Sequence, residues 1–194
     1  YKTTFGIRTI RFDDNEGFFL NGKHVKIKGS NNHQDHAGVG VAIPDALQEY
    51  RLKILKSFGS NAYRCAHNPP TPELLDVCDR LGILVIDENR LMGITKTHLD
   101  DVKKLIERDR NHPSIISWSI GNEEWGIEND EVGARIATTM QAYVKSLDET
   151  RPATAAFSGG IGSNGITTVM DLLGINYIAN KSTDKQHELF PNQV

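Results

Sequence analysis

Two glutamates stand side by side at the end of an apolar run. The run covers residues 115–120 (IISWSI), and Gly121, Asn122, Glu123 and Glu124 follow it. Successive side chains of a strand point to opposite faces, so the two carboxylates diverge and only one faces a given cleft. An amide beside a catalytic acid can hydrogen-bond a substrate hydroxyl, and that bond can tighten in the transition state. We therefore predict that Glu123, which directly follows Asn122, does the chemistry.

Clusters of polar residues also follow the other predicted strands. Asparagine, histidine, arginine and carboxylate side chains concentrate in residues 29–36, 63–70, 87–90, 121–125 and 176–177. A helix cap could explain one such cluster, but it is a poor explanation for a succession of them. In barrels of parallel strands, the active site forms at the carboxyl ends of the strands. We therefore predict one site that gathers these segments.

Several of these candidates keep alternative interpretations. His33 could be a metal ligand, a contact to a sugar hydroxyl or a structural side chain. For His67, the alternative to a site role is a purely structural one, in which it braces the turn that follows it. A buried arginine is costly unless it is paired, so Arg64 needs an acidic partner at the same rim. Asp87 and Glu88 point to opposite sides of a regular strand, so only one of them reaches the barrel interior. Asp87 is the predicted site residue of this pair.

Aromatic side chains complete the candidate set. Trp118 lies within the apolar run and is predicted to be core, whereas Trp125 lies beyond it and is predicted to line a cleft. Such rings suit the apolar face of a sugar. The predicted substrate-binding residues are Asn122, His33, Arg64, His67, Asp87, Trp125, Asn176 and Tyr177.

The elements that position these residues alternate along the chain. Residues 5–29 alternate apolar and polar side chains, with turns at 13–15 and 21–22, which predicts a hairpin. From Val25 onward, strand and helix patterns alternate six times, which favours a parallel sheet with crossover helices. No glycine-rich phosphate loop follows the first strand, so a barrel is favoured over a nucleotide-binding open sheet. The predicted fold is α/β, a (β/α)8 TIM barrel truncated to about its first six βα units.

Composition excludes several classes of partner. The chain has 194 residues and a formal net charge of -3, which is too small to favour nucleic acid. No apolar run reaches membrane-spanning length, so no membrane partner is predicted. No signal peptide is visible at Tyr1, where the chain reads as the middle of a protein. Cys65 and Cys78 lie in different predicted elements and are predicted to be buried free thiols.

Three long motifs carry a resemblance to a known family. They are IKGSNNHQDHAGVGVAIPD (27–45), GSNAYRCAHNPPTPELLDVCDRLGILVIDE (59–88) and RNHPSIISWSIGNEEW (110–125). Together they resemble glycoside hydrolase family 2, the group of β-galactosidases, β-glucuronidases and β-mannosidases. In that family a jelly-roll domain and an immunoglobulin-like domain precede a (β/α)8 catalytic barrel. The resemblance implies that residues 1–17 end the immunoglobulin-like domain and its linker, and that residues 18–194 begin the barrel.

The resemblance also implies roles for single residues. Glu123 resembles the general acid/base, and Asn122 resembles the contact to the sugar 2-hydroxyl. Arg64 resembles the arginine near the nucleophile, and His33 and His67 resemble site histidines of the β-galactosidases. The implied activity is a retaining β-glycosidase that acts by double displacement on terminal β-linked sugars, β-galactosides first. The implied partners are a carbohydrate substrate and the preceding and following domains of the same polypeptide, and homo-oligomerisation is compatible with them.

The nucleophile of such an enzyme has no counterpart in this sequence. The resemblance places a second glutamate at the end of strand 7, and no glutamate up to Val194 matches it; Glu188 lies in a helical segment. Retention needs two carboxyl groups about 5–5.5 Å apart. We therefore expect the nucleophile beyond residue 194, and we expect this chain alone to have no glycosidase activity.

The sequence also departs from the family pattern. Asn32 stands where the well-studied β-galactosidases have an arginine. Residues 90–92 (RLM) stand where those enzymes have acidic and histidine magnesium ligands, so no metal site and no cofactor is predicted. Residues 31–45 look like the large enzymes of polysaccharide-degrading bacteria, and a periplasmic or secreted location is favoured over a cytoplasmic one.

Three alternative functions remain at this point. A β-glucuronidase of the same family differs in parts of the site that lie outside the chain. A metal-dependent TIM-barrel hydrolase could use the histidine pair of HQDH (33–36), but it needs further ligands on later strands, and the fifth and sixth predicted strands end without a histidine. A non-catalytic carbohydrate-binding barrel would keep the groove and lack the second glutamate.

Overall fold

The chain begins with a small antiparallel sheet. The computed structural model describes residues 4–159, 164–177 and 183–194. Its first sheet has the order β1-β2-β3, formed by Ile10–Asp13, Gly17–Leu20 and Lys23–His24. The turn after β2 places Asn21 at φ +51° and Gly22 at φ +74°, the left-handed conformation that tight hairpin turns require. The hairpin predicted for this region is confirmed.

A six-stranded parallel sheet follows, and its strands are in chain order. Its strands are β4 (Gly29–His33), β5 (Ala62–Ala66), β6 (Leu84–Glu88), β7 (Ile115–Asn122), β8 (Ala153–Phe157) and β9 (Leu172–Ile175). The helices are α1 (Asp45–Ser57), α2 (Pro72–Leu81), α3 (Lys96–Asp109), α4 (Glu131–Leu147) and α5 (Thr183–Leu189), with a 3₁₀ turn at Ile166–Thr168. This alternation confirms the predicted α/β architecture. Among the described residues no helix is long and apolar enough to cross a membrane.

The first parallel strand differs from its prediction. The pattern placed its start at Val25, but β4 begins at Gly29, so the polar residues lie within the strand and not only after it. Residues 26 and 28 are held instead by Asn61, whose side chain donates to the Lys26 carbonyl and accepts from the Lys28 amide. Hydrogen bonds that fix the backbone from another element are invisible to a reading of apolar periodicity.

The main core fills the space between the parallel sheet and its helices. Alternate side chains of β5, β6 and β7 face the helices, including Cys65, Val85 and Trp118, and each is at most 3% exposed. Cys65 and Cys78 are buried free thiols, as predicted. Burial raises the pKa of both thiols, and that keeps them in the unreactive neutral form. The core position predicted for Trp118 is also confirmed.

The other face of the sheet curls around an apolar interior. Phe18 of the hairpin packs against Ala62, Leu84 and Ile116, which come from three neighbouring strands. The hairpin, the inner faces of β6 to β9 and residues of α5 line a cavity of about 710 Å³. Glu123 does not line this cavity, which lies between the inner face of the curled sheet and the hairpin.

A buried ion pair between Asp148 and Arg151 joins the end of α4 to the start of β8. Asp148 accepts hydrogen bonds from Trp118 Nε1 at 2.9 Å and from Arg151 Nη1 at 2.5 Å. The other carboxylate oxygen accepts from the amide and the hydroxyl of Thr150. Burial by itself would raise the pKa of Asp148, but the hydrogen bonds outweigh it and lower the pKa to about 2.

This network makes stability depend on pH. The folded pKa of Asp148 lies below its unfolded value of 3.8, so its contribution is complete above that value and is lost as the pH falls. The shift corresponds to about 2 kcal/mol at pH 7, roughly halved by pH 3. We expect Asp148→Asn to lower the free energy of unfolding, measured in urea through tryptophan fluorescence, by an amount that shrinks over this range. Asp101→Asn, which alters an exposed pair with Lys104, is the control and should show no such trend. A difference that stays constant with pH would contradict the assignment.

Candidate active site

A buried carboxylate organises the polar groups at the carboxyl ends of the strands. Glu88, at the end of β6, is fully buried and lies between side chains of β5, β7 and the loop after β5. One of its oxygens accepts from Arg64 Nε at 2.8 Å and from Ser119 Oγ at 2.9 Å, and it lies 2.6 Å from Arg64 Nη2 in an ion pair. The other lies 2.7 Å from His67 Nδ1. The acidic partner predicted for Arg64 is therefore present, and it is Glu88.

Arg64, which is held by Glu88, in turn fixes the side chain of Asn122. Its Nη2 donates to Asn122 Oδ1 at 2.7 Å, and its Nη1 donates to Asn31 Oδ1 at 3.2 Å. Because a guanidinium only donates, the bond fixes which end of the Asn122 amide is oxygen. The side-chain nitrogen of Asn122, Nδ2, makes no hydrogen bond within the described part of the chain. Its two N–H groups can therefore donate to a ligand. Asn122 is 6% exposed.

Glu123 lies next to Asn122 in the same network. Asn176, directly after β9, donates from Nδ2 to Glu123 Oε1 at 2.6 Å and to Asn122 Oδ1 at 3.2 Å. The Glu123 amide donates to the Ala156 carbonyl of β8 at 2.9 Å. Glu123 is half-buried, with its carboxylate tied to the end of the last described strand. The structure thus brings together four predicted site residues: Arg64, Asn122, Glu123 and Asn176.

Glu123 has an unusual backbone conformation. Its φ of +53° lies in the left-handed region, which residues other than glycine rarely adopt and which clusters at functional sites. The pairing of β7 with β8 is also irregular between Ser119 and Asn122. These two features explain why Asn122 and Glu123, although adjacent, both reach Asn176. The alternation expected of a strand would have sent them to opposite sides.

Tyr177 extends the network toward solvent. Its side chain is largely exposed. The pKa of its phenol is raised, mainly by the negative charge of Glu123 and to a smaller extent by the hydrogen bond between the phenol and Glu123. The predicted position of Tyr177 beside the site agrees with this contact, and its role toward a substrate stays a prediction.

Asp87 does not join the site, and its prediction as a substrate contact is wrong. Its side chain is fully buried on the helix side of the sheet, near Cys65 and Asp109, and points away from Glu88. Burial is the main cause that raises the pKa of Asp87 well above its usual range, and the negative charge of Asp109 is the second. The alternation rule was right that only one of the pair faces inward, but the inward residue is Glu88.

The remaining predicted residues lie at the rim. The rings of His33 and His67 meet edge to face, with centroids 5.2 Å apart, so both histidines reach the site's edge. His33 is exposed, whereas His67 is half-buried against Glu88. Trp125 is 73% exposed just beyond β7, where a ring could cover a bound sugar. The substrate contacts of these three residues stay predictions.

Sequence reasoning missed three contributors to the site. Glu88 was set aside in favour of its neighbour, and Ser119 lies within the apolar run that seemed to be only core. Arg90 donates from Nη1 to the Asn122 carbonyl at 3.0 Å and to Glu124 Oε1 at 3.3 Å. Glu88 could have been predicted, because a buried arginine on β5 needs an acidic partner on the same face of the sheet.

The group of residues best spaced to hold a metal ion lies elsewhere. In the described ranges it consists of Asp76, Asp79 and His112, whose ligand atoms lie within 4.8 Å of one another. His112 precedes β7, so the group is at the opposite end of the sheet from Glu123. Asp79 already accepts from His112 and from the Ser114 amide, which explains the group as a brace for the start of β7. The described residues around Glu123 therefore give no support to a metal-dependent hydrolase.

Comparisons with known proteins agree with this arrangement. The family model described as "Glycosyl hydrolases family 2, TIM barrel domain" matches residues 10–97 and 92–188. Beta-galactosidase BoGH2A of Bacteroides ovatus is 36% identical over all of this chain, which spans 28% of that protein. A putative beta-glucuronidase of Formosa agariphila is 38% identical over 90% of the chain and 16% of its own length.

Solved structures give the same result. A glycosyl hydrolase family 2 member from Bacteroides cellulosilyticus superimposes with a TM-score of 0.89 at 37% sequence identity. The match covers 98% of this chain and 27% of the other, so the chain spans about a quarter of the length of such relatives. Six parallel strands in chain order, with helices between them, are the first part of a (β/α)8 barrel. The chain therefore belongs to glycosyl hydrolase family 2 and forms part of its TIM barrel domain.

Proposed function

We propose that the chain supplies the acid/base half of a retaining β-glycosidase site. The observation that carries the proposal is the position of Glu123, whose carboxylate is fixed by Asn176 beside an amide fixed by Arg64. A protonated Glu123 gives its proton to the glycosidic oxygen of the leaving group. As a carboxylate, it then takes a proton from the water that releases the sugar.

The partner carboxylate is expected outside these residues. Double displacement needs a nucleophile about 5–5.5 Å from the acid/base. Glu88 cannot serve, since it is fully buried and already bonded to Arg64, His67 and Ser119. The proposed nucleophile is a glutamate beyond residue 194. The fixed position of Arg64 would let its guanidinium face that second carboxylate as well.

Asn122 is the proposed contact to the sugar 2-hydroxyl. Its oxygen is engaged by Arg64 and Asn176, which leaves the amide nitrogen to donate. A hydrogen bond to the 2-hydroxyl that tightens as the oxocarbenium ion forms lowers the barrier. Because both neighbours restrain the amide, it needs no reorganisation when the substrate binds.

The proposed substrates are terminal β-galactosides. A glucuronide carries a carboxylate and needs a cation to receive it. The two arginines that bond Asn122 are already paired, Arg64 with Glu88 and Arg90 with Glu124. The described site is thus better suited to a neutral sugar. A β-glucuronide is the second candidate, since a relative named a putative beta-glucuronidase is as similar to this chain as the one named a beta-galactosidase.

An assay with two chromogenic substrates tests this choice. The polypeptide that carries these residues, expressed at its natural full length, is given p-nitrophenyl β-galactoside and p-nitrophenyl β-glucuronide. We expect kcat/KM to be at least about tenfold higher for the galactoside, the discrimination that one unpaired charge produces in a preformed site. The reverse order would replace the galactoside by the glucuronide. No turnover of any β-glycoside would remove the proposed function.

A further inference from the structure

Arg90 brackets the candidate acid/base without touching it. One nitrogen of its guanidinium, Nη1, donates to the carbonyl of the residue before Glu123 and to the side chain of the residue after it. Arg90 comes from the loop after β6, so it connects two strand ends that meet at the site. Its side chain is 39% exposed and that of Glu124 is 26% exposed.

The segment that Arg90 holds is one that needs restraint. Glu123 is in the left-handed conformation, which an unrestrained glutamate leaves readily. The Glu123 amide is fixed by the Ala156 carbonyl, and the Glu123 carbonyl accepts from the Trp125 amide. The Asn122 carbonyl belongs to the same peptide group as the Glu123 N–H, and Arg90 holds its oxygen. Arg90 therefore fixes the direction in which the chain enters this residue.

We infer that Arg90 is a positioning residue for the reaction, acting through the backbone of Asn122 and through Glu124 on the direction of the Glu123 carboxylate. The inference rests on the proposed function. A misplacement of about 1 Å in a reacting group can lower the rate about a hundredfold, even when the change lies away from the chemistry. A simple surface ion pair between Arg90 and Glu124 would contribute little, and its loss would leave turnover unchanged.

Leaving-group dependence separates these two roles. A substrate with a poor leaving group needs proton donation from Glu123, whereas a 2,4-dinitrophenyl glycoside scarcely needs it. In the full-length polypeptide, we expect Arg90→Met to lower kcat/KM for the poor substrate about 10- to 100-fold and kcat/KM for the activated one less than about threefold. The ratio kcat/KM is compared because it reports the step that releases the phenol, whereas kcat for the activated substrate also includes the release of the sugar, which needs Glu123 as the base. Arg90→Lys, which keeps a cation able to donate to both acceptors, should recover part of the loss.

A matched control is available on the far side of the molecule. Arg80 forms an ion pair with Glu49 at 3.2 Å between α2 and α1, with similar exposure of the acid. Arg80→Met should leave both substrates unaffected, and thermal unfolding of both variants should occur at nearly the same temperature. Equal loss on the two substrates, or no loss on either, would overturn the positioning role.

Failure of this inference is distinguishable from failure of the proposed function. If the unaltered polypeptide hydrolyses no β-glycoside, the proposed function is wrong, and the role of Arg90 falls with it. If it hydrolyses both substrates and Arg90→Met behaves like Arg80→Met, the glycosidase assignment stands and only the role of Arg90 is rejected.

Discussion

Replacing Glu123 by glutamine is expected to lower kcat for a β-glycoside with a poor leaving group by about 10²–10⁴-fold, the usual contribution of a positioned general acid or base. Glutamine keeps the volume and can still accept from Asn176, so the loss reports the proton and not the packing. The measurement is steady-state hydrolysis by the full-length polypeptide. A 2,4-dinitrophenyl glycoside should lose far less in the step that releases the phenol, because that leaving group needs no proton.

The neighbouring glutamate provides the control. Glu124 carries the same side chain but bonds Arg90 and not Asn176. Glu124→Gln keeps an acceptor for Arg90, so we expect a loss below about tenfold, and no change in leaving-group dependence. If Glu124→Gln had the larger effect of the two, the assignment within the adjacent pair would have to be reversed.

Replacing Glu88 by glutamine is expected to be the most damaging change to stability in the site. The Arg64 side chain is 11% exposed, and removal of its partner's charge leaves a buried cation uncompensated. Such a loss costs about 3–5 kcal/mol of the free energy of unfolding. Activity should also fall at least about tenfold, because Arg64 would no longer hold the Asn122 amide. Urea unfolding and turnover of the variant measure the two effects.

A second variant distinguishes the buried charge from general disruption. The double change Glu88→Gln with Arg64→Met removes the uncompensated cation, so it should recover part of the stability. It should not recover activity, since nothing then fixes Asn122. A stability loss below about 1 kcal/mol for Glu88→Gln alone, the range of exposed pairs, would show that Glu88 does not organise this network.

The architecture could be predicted from the sequence because the patterns that indicate strands and helices are local. Bare apolar runs such as residues 115–120 and alternation with helix patterns predict covered parallel strands, and the structure has them. The strand-end position of Asn122 and Glu123 followed from the same patterns, whereas Arg64 lies in the middle of β5. The gathering of these residues at one place is a consequence of parallel strands, whose carboxyl ends meet at one edge.

The errors arose where the answer depends on register between strands. The sequence shows that Asp87 and Glu88 diverge, but not which of them shares a face with Arg64. In the structure Arg64 pairs with Ile86, so the next inward residue is Glu88. Register is set by contacts between strands and by a bulge beside Ile86 in the pairing with β7, and neither is written in a local pattern.

The site also depends on a departure from regular geometry. In a regular strand, the side chains of Asn122 and Glu123 would point to opposite faces. Both nevertheless bond Asn176, because Glu123 adopts φ +53°. Likewise, the bonds from Arg90 to a carbonyl and to Glu124 have no counterpart in residue spacing. Functional residues concentrate where local rules are broken, so these are the features that sequence reasoning predicts least well.

The role of Glu123 in a retaining mechanism is tested most directly by the product that Glu123→Ala forms with azide. Without the general base, water attacks the glycosyl-enzyme slowly, whereas azide needs no deprotonation and can enter the space left by the carboxylate. With a 2,4-dinitrophenyl β-galactoside and the full-length variant, added azide should raise turnover. Nuclear magnetic resonance should then identify the product as the β-galactosyl azide. An α-azide, or a rate unaffected by azide, would contradict Glu123 as the acid/base of a retaining β-glycosidase.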